Sequence, residues 1–505
     1  IIGTTGAVGV AGRVDLCGLE GNARVYFVYG GMLSWNYHSP YLAADNRDMC
    51  WGNVVSLHGS IAKIGMDEKE WEFAYSELHE IPYNENDMSK NRAWYMLEHW
   101  KREITVHVEG AQMRIAPPEG LIAFDEKELE DYGSAYGALS CAALSVGSIQ
   151  YFAVGRGERI EKGALEELFE ASRREGLRIG QSLVVRSGDD ALDGAIRIGA
   201  YPTHALYGDS VLMHGALSWR YGYLGWRAAY GSLGYGLFDQ VYRHFDNHFK
   251  KTWITEGVDK GAFMHMLEEA APDAVTFYNM YETFIDQAKY YWEYTGDEDF
   301  ARRLLPMVEG CIEREIRRLK PGGEWLFENS LNTWISDSHW SILGQCTQAS
   351  AYMYNMIRLA SDLADTKEKR ERYRRQAENV KEDLFRLLWQ KRKGVFGYAR
   401  DLSGSQLFHP EPELADVYHT AEFGLTDRFQ TYQMLDWVEA NLRQEQTGNG
   451  GKLYWSSNWH PNSGRKLTHS TYLLCMGEEM NLALTYFLLG LVEPGYEIFK
   501  SSYMG

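Results

Sequence analysis

The sequence predicts a multi-domain protein: an N-terminal antiparallel β-sandwich, then a linker helix, then an (α/α)6 toroid of paired helices. Three observations carry that reading. Residues 1–160 partly alternate apolar and polar side chains between Gly, Asn and Asp turns. A helical period sets in near 161. From about 188 the helices come in pairs, with short links inside a pair and long links between pairs. A chain of 505 residues is too long for one ordinary core, and its 45% hydrophobic and 24% charged content is globular.

In the first domain, residues 1–160, "ARVYFVYGGMLSW", "ITVHVEGAQMRIAP" and "SIQYFAVGRGERI" are rich in β-branched and aromatic residues and read as sandwich strands. "DEKEWEFAYSELHEI" breaks the pattern and fits either a short helix or a charged strand on an outer sheet face. "EKGALEELFEASRREGL" is amphipathic at helical spacing and predicts the linker helix, within residues 161–187.

Residues 188–505 hold the toroid. "DAVTFYNMYETFIDQAKYYWEYTG" places Phe277, Met280 or Tyr281, Phe284, Ala288 and Tyr291 on one helical face, and "FARRLLPMVEGCIEREIRRL" follows almost at once. "GQCTQASAYMYNMIRLASDLAD" with "KEKRERYRRQAENVKEDLFRLLWQ" repeats the design, as does "TYLLCMGEEMNLALTYFLLG" with "VEPGYEIFKSS". In each pair the first helix is richer in apolar and small residues and the second more charged, as inner and outer helices of a concentric bundle would be. About ten helices are recognisable where a closed toroid has twelve. If the long links at 206–226, 250–273, 319–344, 391–412 and 443–470 each precede an inner helix, they gather on one face. Links of that length inside a compact domain usually carry function.

Composition narrows the partners. Aromatics make 14% of the chain, a usage shared by large helical cores and by surfaces that grip sugar rings. The net charge of −19 and the lack of a basic stripe argue against nucleic acid. Cysteines 17, 50, 141, 311, 346 and 475 show no metal-ligand spacing, so neither a metal nor a cofactor is expected. No apolar run is long enough to span a membrane. The opening "IIGTTGAVGV" has neither Met nor a basic leader and reads as a mature or trimmed chain; a periplasmic or secreted destination is a separate expectation, with no signal peptide visible. The oligomeric state is left open.

Three of the long links share one recipe. In "HGALSWRYGYLGWRAAYGSLGYG", Trp219, Tyr223, Trp226 and Tyr230 fall at helical spacing, which suits a core stripe. The glycines break any continuous helix, and Arg220 and Arg227, with Asp209 upstream, suit the rim of a sugar cleft. "WISDSHW" sets Asp337 and His339 between Trp334 and Trp340, where Asp337 is either a carboxylate of raised pKa or a turn residue. "NGGKLYWSSNWHPNSGRKLTHS" carries Trp455, Trp459 and Arg465 and leads to Glu478 beside Glu479, of which one should face inward and the other outward. Glu422 is a fourth candidate, equally well read as a surface carboxylate. Convergence of the three links, more than any one motif, points to a carbohydrate cleft.

This arrangement, with "YGDSVLMHGALSWRYGYLGWRAAYG", "WISDSHW" and "CMGEEMNLAL", resembles the six-hairpin glycosidase superfamily, which includes α-L-rhamnosidases, glucoamylases and trehalases. It looks most like a bacterial polysaccharide-utilisation family long known only as a domain of unknown function. The resemblance implies an inverting glycoside hydrolase with Asp337 or Asp209 as acid and Glu478 as base. Trp219, Trp226, Arg227, Trp334, His339, Trp340, Trp459 and Arg465 would bind substrate. Where rhamnosidases carry a Glu just before "LGW", this chain has Tyr223. A polysaccharide lyase acting on a uronate glycan and a non-catalytic glycan binder are the alternatives.

Overall fold

The computed structural model describes residues 1–3, 8–19, 22–30, 33–35, 49–51, 53–66, 104–116, 139–208, 210–213, 228–263, 280–328, 344–402, 404–458 and 474–504. The chain divides into two compact units, Ile1–Gln181 and Ser182–Gly505.

The strands of the first unit are β1 (Ile2–Gly3), β2 (Val8–Asp15), β3 (Val25–Gly30), β4 (Leu33–Trp35), β5 (Met49–Trp51), β6 (Asn53–His58), β7 (Ile61–Met66), β8 (Ile104–Val108), β9 (Met113–Ala116), β10 (Leu139–Leu144) and β11 (Ile149–Arg156). They form an antiparallel sheet in the order β1-β2-β11-β8-β7-β6, a second in the order β3-β10-β9, and a β4-β5 ribbon. One core joins the two larger sheets: Ile64, Val106, Phe152 and Val154 from the first meet Met113, Ala142 and Leu144 from the second. Ala153 points to the opposite face of β11. There it meets Ile160 of α1 (Glu158–Glu161) and Leu165 and Leu168 of α2 (Leu165–Gly180). A strand covered on both faces carries an apolar run, as "YFAV" does. The helix expected within 161–187 is therefore α2. Its buried Leu165, Leu168, Ser172 and Gly176 form one stripe, and it packs against β1, β2 and β11. The segment "DEKEWEFAYSELHEI" lies outside the described residues.

The second unit contains eleven helices among the described residues: α3 (Asp190–Ala205), α4 (Ala228–Gly234), α5 (Phe238–Lys251), α6 (Met280–Thr295), α7 (Glu298–Leu319), α8 (Thr347–Leu363), α9 (Lys367–Leu387), α10 (Leu414–Glu422), α11 (Arg428–Asn441), α12 (Met476–Leu488) and α13 (Val492–Met504). From α4 onward they pair as consecutive hairpins, and α4, α6, α8, α10 and α12 neighbour one another in that order. The expected asymmetry is clear in the third hairpin. Fourteen of the 17 residues of α8 are buried, against four of 21 in α9, where Tyr373, Ala377, Val380 and Leu384 make one stripe. In α6 the expected face is buried at Phe284, Ala288 and Tyr291.

Helix starts differ in kind. The second helices of three hairpins begin after tight turns with side-chain caps: Asp297 accepts from Phe300 N–H, Thr366 from Lys369 N–H and Asp427 from Gln430 N–H. The first helices α8 and α12 begin at Cys346 and Cys475 with no side-chain cap. The last helix returns to the first: Lys500 Nζ (2.7 Å) and Tyr496 OH (2.9 Å) donate to Asp189, the N-cap of α3.

Backbone contact fixes the packing of α7. Gly261 sits at φ 94°, and a Cβ there would lie 2.0 Å from the Gly310 carbonyl oxygen. Gly261→Ala is expected to cost about 3 kcal/mol through strain and overlap together. Urea denaturation of the variant against the parent chain measures it.

Candidate active site

The first turns of α6, α10 and α12 carry five buried carboxyls. Glu282 is 3% exposed, Glu413 4%, Asp416 0%, Glu478 2% and Glu479 0%. They sense one another. Glu413, Glu479 and Asp416 act on Glu478, while Asp416, Glu413 and Glu282 all act on the Cys346 thiol at the start of α8.

Most of these groups have an evident structural task. Asp416 accepts from the Glu413 backbone N–H at 2.9 Å in a reciprocal capping box that starts α10, and the Gln348 N–H of α8 also favours its ionised form. Glu479 accepts the Tyr454 N–H at 2.9 Å and so ties α12 to the strand Lys452–Tyr454. Glu478 differs. Like Glu282, Asp416 and Glu479 it has one oxygen sealed from solvent with no hydrogen-bond partner among the described residues; what sets it apart is that three carboxyls, Glu413, Glu479 and Asp416, act on it together.

The electrostatics follow. Burial, then the like charges of Glu413, Glu479 and Asp416, raise the Glu478 pKa well above the usual carboxylate range. Burial pushes Glu479 up to about 8, opposed by its hydrogen bond from Tyr454 N–H. Asp416 is raised by burial and by Glu413.

Behind these carboxyls stands a buried polar layer. Gln348 Nε2 approaches His419 Nδ1 at 3.4 Å, and His419 Nε2 lies 2.9 Å from Tyr352 OH. An imidazole protonated on Nε2 satisfies both contacts. The ring stacks on Phe423 and meets the edge of Tyr418, which fixes its plane. Below α6, Glu282 faces Glu315 of α7, whose carboxyl pairs with Arg314 at 2.7 Å; Arg314 also reaches Asp259 at 3.2 Å. Burial pushes Glu315 up to about 7, and Arg314 opposes it.

The candidates named from sequence fall into three groups. Asp209, Trp219, Trp226, Arg227, Trp334, Asp337, His339, Trp340, Trp459 and Arg465 lie outside the described residues. Glu478 joins the cluster. Glu422 is the last residue of α10, at the end away from Glu413 and Asp416, where its carboxylate accepts from Tyr290 OH at 3.0 Å. Glu478 and Glu479, expected to face in different directions, are both buried and have different neighbours: Glu478 the carboxyls of α10, Glu479 the Tyr454 N–H of the Lys452–Tyr454 strand. Trp455 presents one face to the Arg443 guanidinium, 3.8 Å from the ring centroid, so protein occupies that platform. Tyr230 hydrogen-bonds Asp286 and packs on Tyr290, and Tyr235 donates to the Ile196 carbonyl, so both serve packing.

Glu282, Glu413 and Asp416 were not singled out from sequence. "EPELADVY" does contain the reciprocal capping spacing, but that pattern occurs at many helix starts. Among the described residues no group of acids, histidines and cysteines has the geometry to hold a metal ion, and no helix is long and apolar enough to cross a membrane.

The chain matches no known family and no curated protein. Its fold is similar to that of a bacterial glucoamylase solved with acarbose. The TM-score is 0.55 and the identity 13%, over 78% of this chain and 65% of that one, so the chain spans under two thirds of the glucoamylase's length. A rhamnosidase from Klebsiella oxytoca with rhamnose bound aligns over 94% of this chain and 85% of its own at 12% identity, with a TM-score of 0.46. A mannosylglycerate hydrolase from Thermus thermophilus aligns over 61% and 90% at 11% identity, with a TM-score of 0.45. The glucoamylase likeness is one of fold: sheets followed by helical hairpins.

Proposed function

We propose that the chain is a glycoside hydrolase acting on a polysaccharide or oligosaccharide, built as a β-sandwich followed by an (α/α)6 toroid. The observation that carries this reading is the cluster of buried carboxyls at the helix starts, in which burial and then the like charges of Glu413, Glu479 and Asp416 raise the Glu478 pKa well above the usual carboxylate range. Glycosidic cleavage needs one carboxyl that gives a proton to the leaving oxygen and a second, ionised, that activates water or attacks the sugar. Glu478 fits the proton donor, the reverse of the base role implied by the family resemblance. Asp337 or Asp209 then supplies the ionised partner, and inversion is the expected outcome. The glucoamylase-like fold supports the class of reaction without naming the sugar.

The test is a screen of the purified chain against plant and host polysaccharides. Product mass, proton NMR of the new anomeric centre and near-ultraviolet absorbance are read together. Saturated products of inverted configuration are expected. Products absorbing in the near ultraviolet would make the chain a lyase, and binding without turnover would make it a glycan binder; either result overturns the proposal.

A further inference from the structure

A second concave site lies beside the carboxyl cluster. The C-terminal half of α11, the turn at Lys393 and the segments around Glu411 and Asn458 enclose about 300 Å³, lined by Lys393, Glu411, Asp436, Trp437, Asn441 and Asn458. Its walls are fixed by the fold. The hairpin that pairs Trp389–Gln390 with Val395–Phe396 turns at Gly394 (φ 68°), where a Cβ would lie 2.8 Å from Gln433 Cβ of α11. Glycine there lets the turn lie directly on the helix, one turn ahead of Trp437. Gln390 Nε2 donates to the Pro410 carbonyl at 2.7 Å and Lys393 pairs with Glu411 at 3.4 Å, tying the hairpin to the next wall. Asn458 clamps the last wall: its Nδ2 donates to the Asn441 carbonyl at 2.8 Å, and its Oδ1 accepts the Arg443 N–H at 3.3 Å.

The pocket and the cluster share a wall. Glu413 and Ser457 are bridged as an antiparallel pair, Glu411 stands two residues before the first and Asn458 immediately after the second.

We propose that this pocket is an accessory binding site for one or two sugar units of a neutral glycan. The inference rests on the carbohydrate reading above and extends it to a surface that the proposed cleavage step does not use. Sugar hydroxyls donate and accept at once, and the lining offers both. The Asp436 carboxylate and the Asn441 side-chain oxygen accept, while the Lys393 ammonium donates. Asn441 Nδ2 is engaged with the Trp437 carbonyl, and Trp437, largely buried in the core, borders the pocket and reports on it. The volume sits at the small end of ligand sites, roughly 300–1,000 Å³. Glu411 and Asp436 outweigh Lys393, so a neutral ring is favoured over a uronate.

The experiment uses the full chain carrying Glu478→Gln, labelled with ¹⁵N at tryptophan. The Trp437 indole resonance is assigned by its loss in Trp437→Phe. Maltohexaose, cellohexaose, xylohexaose and mannohexaose are titrated separately to about 10 mM, the range of weak single-site affinities. At least one should move the Trp437 signal saturably, and Asp436→Ala/Lys393→Ala should weaken that binding about tenfold or more through lost hydrogen bonds. The proposal falls if no hexasaccharide moves the signal, or if the double variant responds like its parent. Trp437 binding in a chain whose wild type cleaves nothing would leave this site standing and remove the hydrolase reading. Turnover with a silent Trp437 would do the opposite.

Discussion

Glu478→Gln is expected to lower turnover by at least about a thousandfold, the loss typical when the acid of a carboxyl pair can no longer transfer a proton. Glutamine keeps the shape and removes the titratable proton. Because the acid form that burial favours is also neutral, the swap leaves the local charge unchanged, and the variant should melt close to the parent. That combination separates chemistry from folding. Glu479→Gln is the control: its amide oxygen still accepts the Tyr454 N–H, and activity should stay within about tenfold. Steady-state rates on the cleaved glycan, with thermal melts alongside, decide it. Full activity in Glu478→Gln removes that residue from the reaction.

Arg314→Met should be the most destabilising single change in the helical unit, costing about 3–5 kcal/mol, because it strands the buried Glu315 carboxylate without its cation. The loss depends on pH in a defined direction. The Glu315 carboxyl is raised from the usual 4.5 to about 7 in the folded chain. An acid whose pKa is raised by folding contributes stability in its protonated form. That contribution is complete below the unfolded value and is lost as pH rises through the folded one. Glu282, Asp416, Glu478 and Glu479 are all displaced the same way. The wild-type melting temperature should therefore fall as pH rises from about 5 to about 8, and Glu315→Gln should flatten that slope. Without Arg314 the slope should steepen. Melting scans across that interval measure all three, and a wild type that grows more stable toward alkaline pH would contradict the account.

What the sequence conveyed was mostly periodicity. Phe284, Ala288 and Tyr291 recur at helical spacing and are buried together, and the stripe of α2 was readable from Leu165 and Leu168. The candidate site was legible only in part. Adjacent residues on a helix point about 100° apart, so Glu478 and Glu479 were expected on opposite sides of a boundary. Burial of both depends on α10 and the Lys452–Tyr454 strand flanking the first turn of α12, which no local pattern records. Glu413 and Asp416 look like an ordinary capping box until α8 and α12 arrive beside them. Trp455 belonged by composition with the sugar platforms. The Arg443 guanidinium, twelve residues earlier in the chain, takes one of its faces.

The meeting of α13 with α3 bears on how the helical unit is made. Lys500 and Asp189 are 311 residues apart in the chain, whereas each hairpin joins neighbours separated by a few residues. Contacts of such separation slow folding when the intervening chain is loose, and far less when it is already ordered. Hairpins that form locally as they are synthesised would bring both ends together before the last helix exists. Docking α13 then becomes a late seal over structure already standing, and Asp189 waits for its lysine until 311 further residues have been made.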